Sequence, residues 1–169
     1  MDNFSSPVES SGIYFQSGGK RWEINIMLIG EYKHTIDDKN RISLPAKFRK
    51  ELGRKVVVTR GLDNCLFLFP NKTWETNAKE MAKLGWRRDA RGFTRFMFSG
   101  ASEIEVDSMG RILIPDYLRE FASISSPVVF AGVHDRIEIW NKKHWDAYKK
   151  KIESQAEAMT EKLGTTSFK

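Results

Sequence analysis

Two short stretches of the chain repeat one pattern of residue types. IDDKNRISLP occupies positions 36–45, and VDSMGRILIP occupies positions 106–115, seventy residues further on. Each sets an aspartate four residues ahead of an arginine: Asp37 before Arg41, and Asp107 before Arg111. A guanidinium lifted on a tight turn offers a planar fork that can grip a phosphate or the O6/N7 edge of guanine. A carboxylate in the same place would repel a polyanion, so Asp37 and Asp107 are expected to bridge their own turns. The pattern alone leaves Arg41 and Arg111 with two readings, as the partners of those bridges or as groups aimed at a nucleic acid. Asn40 and Gly110 hold equivalent positions, and these residue types best tolerate a positive φ. A left-handed residue is therefore expected in both turns. Lys39 adds a phosphate-reaching charge to the first turn where the second has Met109, so the halves should contribute unequally. Arg49 and Arg119 each follow their loop arginine by eight residues. They are read as contacts to a nucleic-acid backbone or as solvated surface.

Other chemistries find little support. Cys65 falls in an expected strand, where cysteine is commonly a small buried hydrophobe. His34, His134 and His144 are scattered without metal-ligand spacing. No glycine-rich phosphate loop or nucleophile elbow is present in the sequence. An enzyme, a metal site and a cofactor are accordingly not expected.

The repeat extends beyond the two loops. Ile42, Leu44, Pro45 and Phe48 match Ile112, Ile114, Pro115 and Leu118 at an offset of seventy. An offset of seventy-one then aligns Val57, Val58, Leu66, Leu68 and Trp74 with Val128, Val129, Ile137, Ile139 and Trp145. Each copy predicts the same elements. An entering strand (34–36; 103–106) precedes the turn, and a second short strand follows it (41–44; 111–114). Proline then suits the opening of a short helix (46–52; 116–121). A hairpin comes next, pairing 56–59 with 65–69 and 128–131 with 137–140, and its GLDN or GVHD supplies turn residues. A longer helix closes each copy (71–84; 141–158), with Asn71 and Asn141 as candidate N-caps. A linker helix over 87–99 puts Trp86, Ala90, Phe93 and Met97 on one face. Arg88, Arg91 and Arg95 line another face, expected to be solvated or at a subunit contact. Lys149–Lys151 is read as an ordinary exposed face. Trp74, Trp86, Trp140 and Trp145 are expected in the core or at an oligomer contact. A four-strand module of this size cannot bury its apolar faces alone, so the two copies should complete each other's sheet. The resulting boundaries are 27–86 and 102–163 for the modules, 87–101 for the linker and 164–169 for a frayed tail.

Composition bounds the remaining possibilities. With 40% hydrophobic residues, 11 Phe and 5 Trp among 169 residues, the chain can build a core. A net charge of +6 favours a polyanionic partner. No apolar run reaches the length of a membrane span, and a lone cysteine suits a reducing cytoplasm. Residues 1–26 are small and polar without clear patterning, and are read as a flexible extension or as residues ahead of a translation start at Met27.

The paired loops, GEY at 30–32 and RGFTRFMFSGA at 91–101 together resemble the MraZ family of bacterial transcriptional regulators, within the AbrB/MazE-like swapped-hairpin superfamily. The resemblance spans about residues 27–163. It implies a mainly β fold with flanking helices, a double-split β-barrel made of two tandem AbrB-like halves. It also implies a nucleoid-associated repressor of the division and cell-wall gene cluster, binding direct repeats of double-stranded DNA in its own promoter and assembling into ring-shaped homo-oligomers. On this reading Arg41 and Arg111 contact DNA. The first loop departs from the family pattern, since Asn40 stands where glycine is usual. The competing reading is a protein-interaction module, either antitoxin-like or simply ring-forming.

Overall fold

Strands exchanged between the two copies of the repeat build the sheet. The computed structural model describes residues 13–17, 20–24 and 27–164; the expected frayed end from 165 onward lies outside them. In chain order the elements are β1 (Ile13–Ser17), β2 (Lys20–Ile24), β3 (Leu28–His34), β4 (Arg41–Ser43), α1 (Ala46–Leu52), β5 (Lys55–Arg60) and β6 (Leu66–Pro70). There follow α2 (Asn71–Ala82), α3 (Arg88–Gly100), β7 (Ser102–Glu105), β8 (Arg111–Leu113), α4 (Asp116–Phe121), β9 (Val128–His134), β10 (Arg136–Asn141) and α5 (Lys142–Lys162).

Six strands form one antiparallel sheet in the order β3-β9-β10-β6-β5-β7. β3, which ends at His34 where the entering strand of the first copy is expected to begin, pairs with β9 of the second, and β7 of the second pairs with β5 of the first. The hairpins meet through β6 and β10, where Leu68 faces Ile137 and Leu66 faces Ile139. β4 and β8 form a separate ribbon. The expected mutual completion of the two halves is thus present as a split arrangement of strands, and no closed ring of strands occurs among the described residues.

Alternation along the strands divides the interior into two layers. Leu66, Leu68, Val56, Val58, Val128, Phe130, Ile137 and Ile139 share one cluster with Ile42, Leu44, Phe48, Ile112, Ile114 and Leu118. Phe67, Phe69, Val129 and Trp140 belong to the other, packed against Met97, Trp74, Trp145 and Tyr148 of the long helices. The β4–β8 ribbon with α1 and α4 therefore covers one face of the sheet, and α2, α3 and α5 cover the other.

The register corrects the alignment of the repeat. Val56 faces Pro70 and Ile104, whereas Val128 faces Asn141 and His34. Equivalent residues on these strands are therefore seventy-two apart, so Val56, Val57 and Val58 match Val128, Val129 and Phe130. The one-residue difference decides which face each side chain takes, and it is absorbed by the longer first hairpin loop. There Asp63 and Asn64 both adopt positive φ, 56° and 61°, in the geometry of a primed turn.

Other expectations separate in the same way. Asn141 caps α5, its side chain accepting the Lys143 N–H at 2.9 Å. Asn71 does not cap α2: Pro70 holds that position, and the Asn71 amide donates instead to Glu103 at 3.4 Å. Trp86 precedes α3 and is 88% exposed, so it lies outside the core, unlike Trp140 at 2%. Lys149 is not an idle surface charge, because its Nζ donates to Glu31 on β3 at 2.8 Å and holds that carboxyl below its ordinary range. Within the expected flexible extension, β1 and β2 pair with each other as a separate hairpin.

Candidate nucleic-acid interface

The two Asp–Arg loops fold by the same hydrogen-bond circuit. Asp37 N–H donates to the Arg41 carbonyl at 2.9 Å, and Asn40 N–H donates to the Asp37 carbonyl at 3.0 Å. The carboxylate then closes the turn from inside. Its Oδ1 accepts the N–H groups of Lys39 and Arg41 at 2.9 Å, and its Oδ2 accepts Arg41 Nε at 2.8 Å. In the second loop Asp107 Oδ1 accepts the N–H groups of Met109 and Arg111 at 2.9 Å, and Oδ2 accepts Arg111 Nε at 2.8 Å. The fourth position is left-handed in both, with φ 59° at Asn40 and 75° at Gly110. Both aspartates thus accept N–H groups of their own turns, and φ is positive at Asn40 and Gly110.

These contacts hold both carboxyls below the ordinary aspartate value. For Asp37 the Arg41 backbone N–H is the largest cause, followed by the Arg41 side chain. For Asp107 the Arg111 backbone N–H again leads, with desolvation opposing it. Charged carboxylates accepting several N–H bonds behave in this way.

The ribbon places the arginines together. Ile42 faces Ile112 at its centre, with Arg41 opposite Leu113 and Ser43 opposite Arg111. Side chains alternate along a strand, so buried Ile42 and Ile112 take the inner face, at 0% and 1% exposure. Arg41, Ser43, Arg111 and Leu113 consequently share the outer face. Arg111 Nη1 lies 3.9 Å from Asp37 Oδ2 of the other loop. The Arg41 and Arg111 side chains are 30% and 20% exposed. They are therefore reachable from outside and oriented by their own aspartates. A guanidinium has five N–H donors, and the Nε bond to aspartate leaves others available to a ligand. Lys39 is exposed beside the first loop and Met109 beside the second, in keeping with the unequal charge read from the sequence.

Arg49 and Arg119 sit at the same place but are tied across it. Arg119, on α4 of the second copy, donates Nη1 to Asn40 Oδ1 in the first loop at 3.1 Å, and its Nη2 meets Asp116 at 2.5 Å. Arg49, on α1 of the first copy, donates Nε to the Leu44 carbonyl at 2.9 Å and lies against Gly110 of the second loop. Sequence spacing gave both arginines equal standing but no sign of this crossing, which follows only from the exchanged strands. A cleft of about 410 Å³ runs between Arg49, Gly53 and Arg54 on one side and Asp107, Ser108 and Gly110 on the other. Arg88, Arg91 and Arg95 are exposed on α3.

A sequence profile described as "MraZ protein, putative antitoxin-like" matches the chain twice, over residues 27–96 and 97–165. The chain belongs to the MraZ family. One Asp–Arg loop falls in each MraZ repeat, and the junction between the two matches lies within α3. A protein named transcriptional regulator MraZ from Moorella thermoacetica is 50% identical over 138 residues, covering 81% of this chain and 96% of that protein. One of the same name from Caldanaerobacter subterraneus subsp. tengcongensis shows the same identity and coverage. A third, from Caldicellulosiruptor saccharolyticus, is 53% identical over 120 residues, covering 70% of this chain and 84% of that protein. Among the described residues of this MraZ chain, no helix is long and apolar enough to cross a membrane.

Proposed function

We propose that this chain is a sequence-specific DNA-binding transcriptional regulator whose paired loops meet duplex DNA. One observation carries the reading: Arg41 and Arg111 leave the same outer face of one ribbon, each oriented by a carboxylate from its own loop. Two prearranged forks on one face suit a groove better than they suit a stabilising bridge, which would need no exposure. Lys39 extends the charge toward the phosphates, and the basic balance of the chain draws DNA to this face. Arg49 and Arg119 serve the interface with guanidinium groups committed to the loops. The relatives' name, transcriptional regulator, supports the same reading. Repression through direct repeats in its own promoter, and of the division and cell-wall cluster, is the regulation that the family resemblance implies. On this reading the protein acts at the nucleoid in the cytoplasm and has no catalytic role.

We infer self-association on a separate observation, the ring form of the homo-oligomer being what the family resemblance implies. Trp86, 88% exposed, lines a cleft of about 320 Å³ together with Arg91, Thr94 and Arg95, and Leu84, two residues earlier in the chain, is 49% exposed. Apolar surface of this kind marks an interaction site, and it also keeps a protein-interaction reading alive. Footprinting on the promoter of the protein's own gene separates the two. Protection of regularly spaced repeats supports the regulator; binding indifferent to sequence supports the interaction module.

A further inference from the structure

Identical local circuits explain why each loop is a tight turn, but not what fixes one loop relative to the other. Each turn is closed by its own Asp and its own backbone. The position of the turn is a second matter, and at both loops a residue of the opposite copy touches it. Arg119 reaches Asn40 across seventy-nine positions of sequence, with Nη1 to Oδ1 at 3.1 Å. Asp116 steadies the far end of the same guanidinium.

The reciprocal contact is one of shape. A Cβ built on Gly110 would stand 2.5 Å from Arg49 Nε, 2.6 Å from Cζ and 2.7 Å from Cδ. The Arg49 side chain therefore occupies the space that any other residue at 110 would need. Leu44 completes the link: its carbonyl accepts Arg49 Nε, and its N–H donates to the Gly110 carbonyl at 2.9 Å. One residue of the first copy thus holds both the arginine and the loop that the arginine covers.

We propose that Arg49 and Arg119 are crossed positioning residues: each seats the loop of the opposite repeat, so that the two loops are set as one unit. The proposal rests on the DNA-binding reading for its functional meaning, but the seating itself is independent of DNA. It makes Asn40 and Gly110 non-interchangeable although both are left-handed. Position 40 supplies an acceptor that Arg119 uses, and position 110 must be vacant so that Arg49 can lie against the backbone.

The test uses the full chain in four forms: unaltered, Arg119→Ala, Asn40→Gly and the double variant, with Arg119→Lys as a fifth. Asn40→Gly keeps the left-handed turn and removes only the acceptor, so it remains informative if Arg119→Ala folds poorly. Amide spectra are recorded, and affinity is measured for a duplex from the protein's own promoter and for a scrambled duplex. Arg119→Ala is expected to shift the amides of Lys39, Asn40 and Arg41 in the opposite repeat. Preference for the promoter duplex should fall about tenfold in either single variant, the scale of a lost charged hydrogen bond. The double variant should be no worse than the poorer single one, and Arg119→Lys, which keeps charge without the fork, should not restore binding. Unmoved amides at 39–41, additive losses, or full restoration by lysine would each overturn the proposal. If the unaltered protein shows no preference for the promoter duplex, the DNA reading fails, and the amide shifts still decide the positioning.

Discussion

Ile42 lies directly opposite Ile112 at the centre of the β4–β8 ribbon, and both are buried. The two residues are equivalents in the repeat, so the ribbon's centre is also the centre of the exchange between the halves. The Asp–Arg loops leave this pair on either side, and a small change here should be felt in both.

Ile42→Ala and Ile112→Ala should each destabilise the protein by roughly 2–5 kcal/mol, since removing buried methyl groups leaves a cavity as well as a lost transfer energy. Denaturant unfolding measures the loss. Values below about 1 kcal/mol would mean that the ribbon is not part of the shared core.

The glycine of the second loop should be costly to replace. Gly110→Ala puts a Cβ on a left-handed residue and into the Arg49 side chain, with an expected loss on the order of 1–2 kcal/mol. Asn40→Gly keeps the conformation and should change stability by only a few tenths of that. Thermal unfolding of the two variants compares them, and equal losses would contradict the crossed packing.

Asp37 and Asp107 set the acid limit of the loops. Their carboxyls are depressed in the folded protein, so the stabilisation they give is complete above the unfolded aspartate value of about 3.9. It disappears as pH falls through the lower folded value. The loops should thus keep their shape through the whole range from neutral to about pH 4. Amide resonances of Lys39, Arg41, Met109 and Arg111 should titrate with midpoints below that unfolded aspartate value. Midpoints above it would mean that the carboxylates do not accept these N–H groups in solution.

Lys39 tests the unequal charge of the halves. Lys39→Ala should weaken binding to the promoter and scrambled duplexes alike, and lower the slope of log affinity against log salt by about one. Met109→Lys should raise that slope by a similar amount. A loss confined to the promoter duplex would instead assign Lys39 to base reading.

The parts of this arrangement that the residues disclosed are those decided locally. α1 and α4 have their expected limits because Pro45 and Pro115 open them and an apolar residue pins each turn. The left-handed turns were legible because Asn and Gly share one conformational privilege. Exchange of strands followed from the inability of either half to bury its own faces. What escaped reading depends on contacts between distant segments. The offset of the β5–β9 equivalence shifts by two residues from that of the loops, and a run such as KVVVTR is apolar on both faces, so alternation could not fix it. Trp86 follows an apolar spacing that begins two residues before the helix does. The strand formers Ile13, Tyr14, Phe15 and Trp22 were hidden among serines and glycines. Arg49 and Arg119 announced their equivalence, but which loop each serves required the topology.

The most direct measurement is the affinity of the Arg41→Ala/Arg111→Ala double variant for the promoter duplex and its scrambled counterpart at physiological salt. Each arginine fork is worth about 1–3 kcal/mol of discrimination, so the preference should fall about a hundredfold or more while the unfolding temperature stays close to that of the unaltered protein. A double variant that folds normally and retains its preference for the promoter duplex would contradict the account.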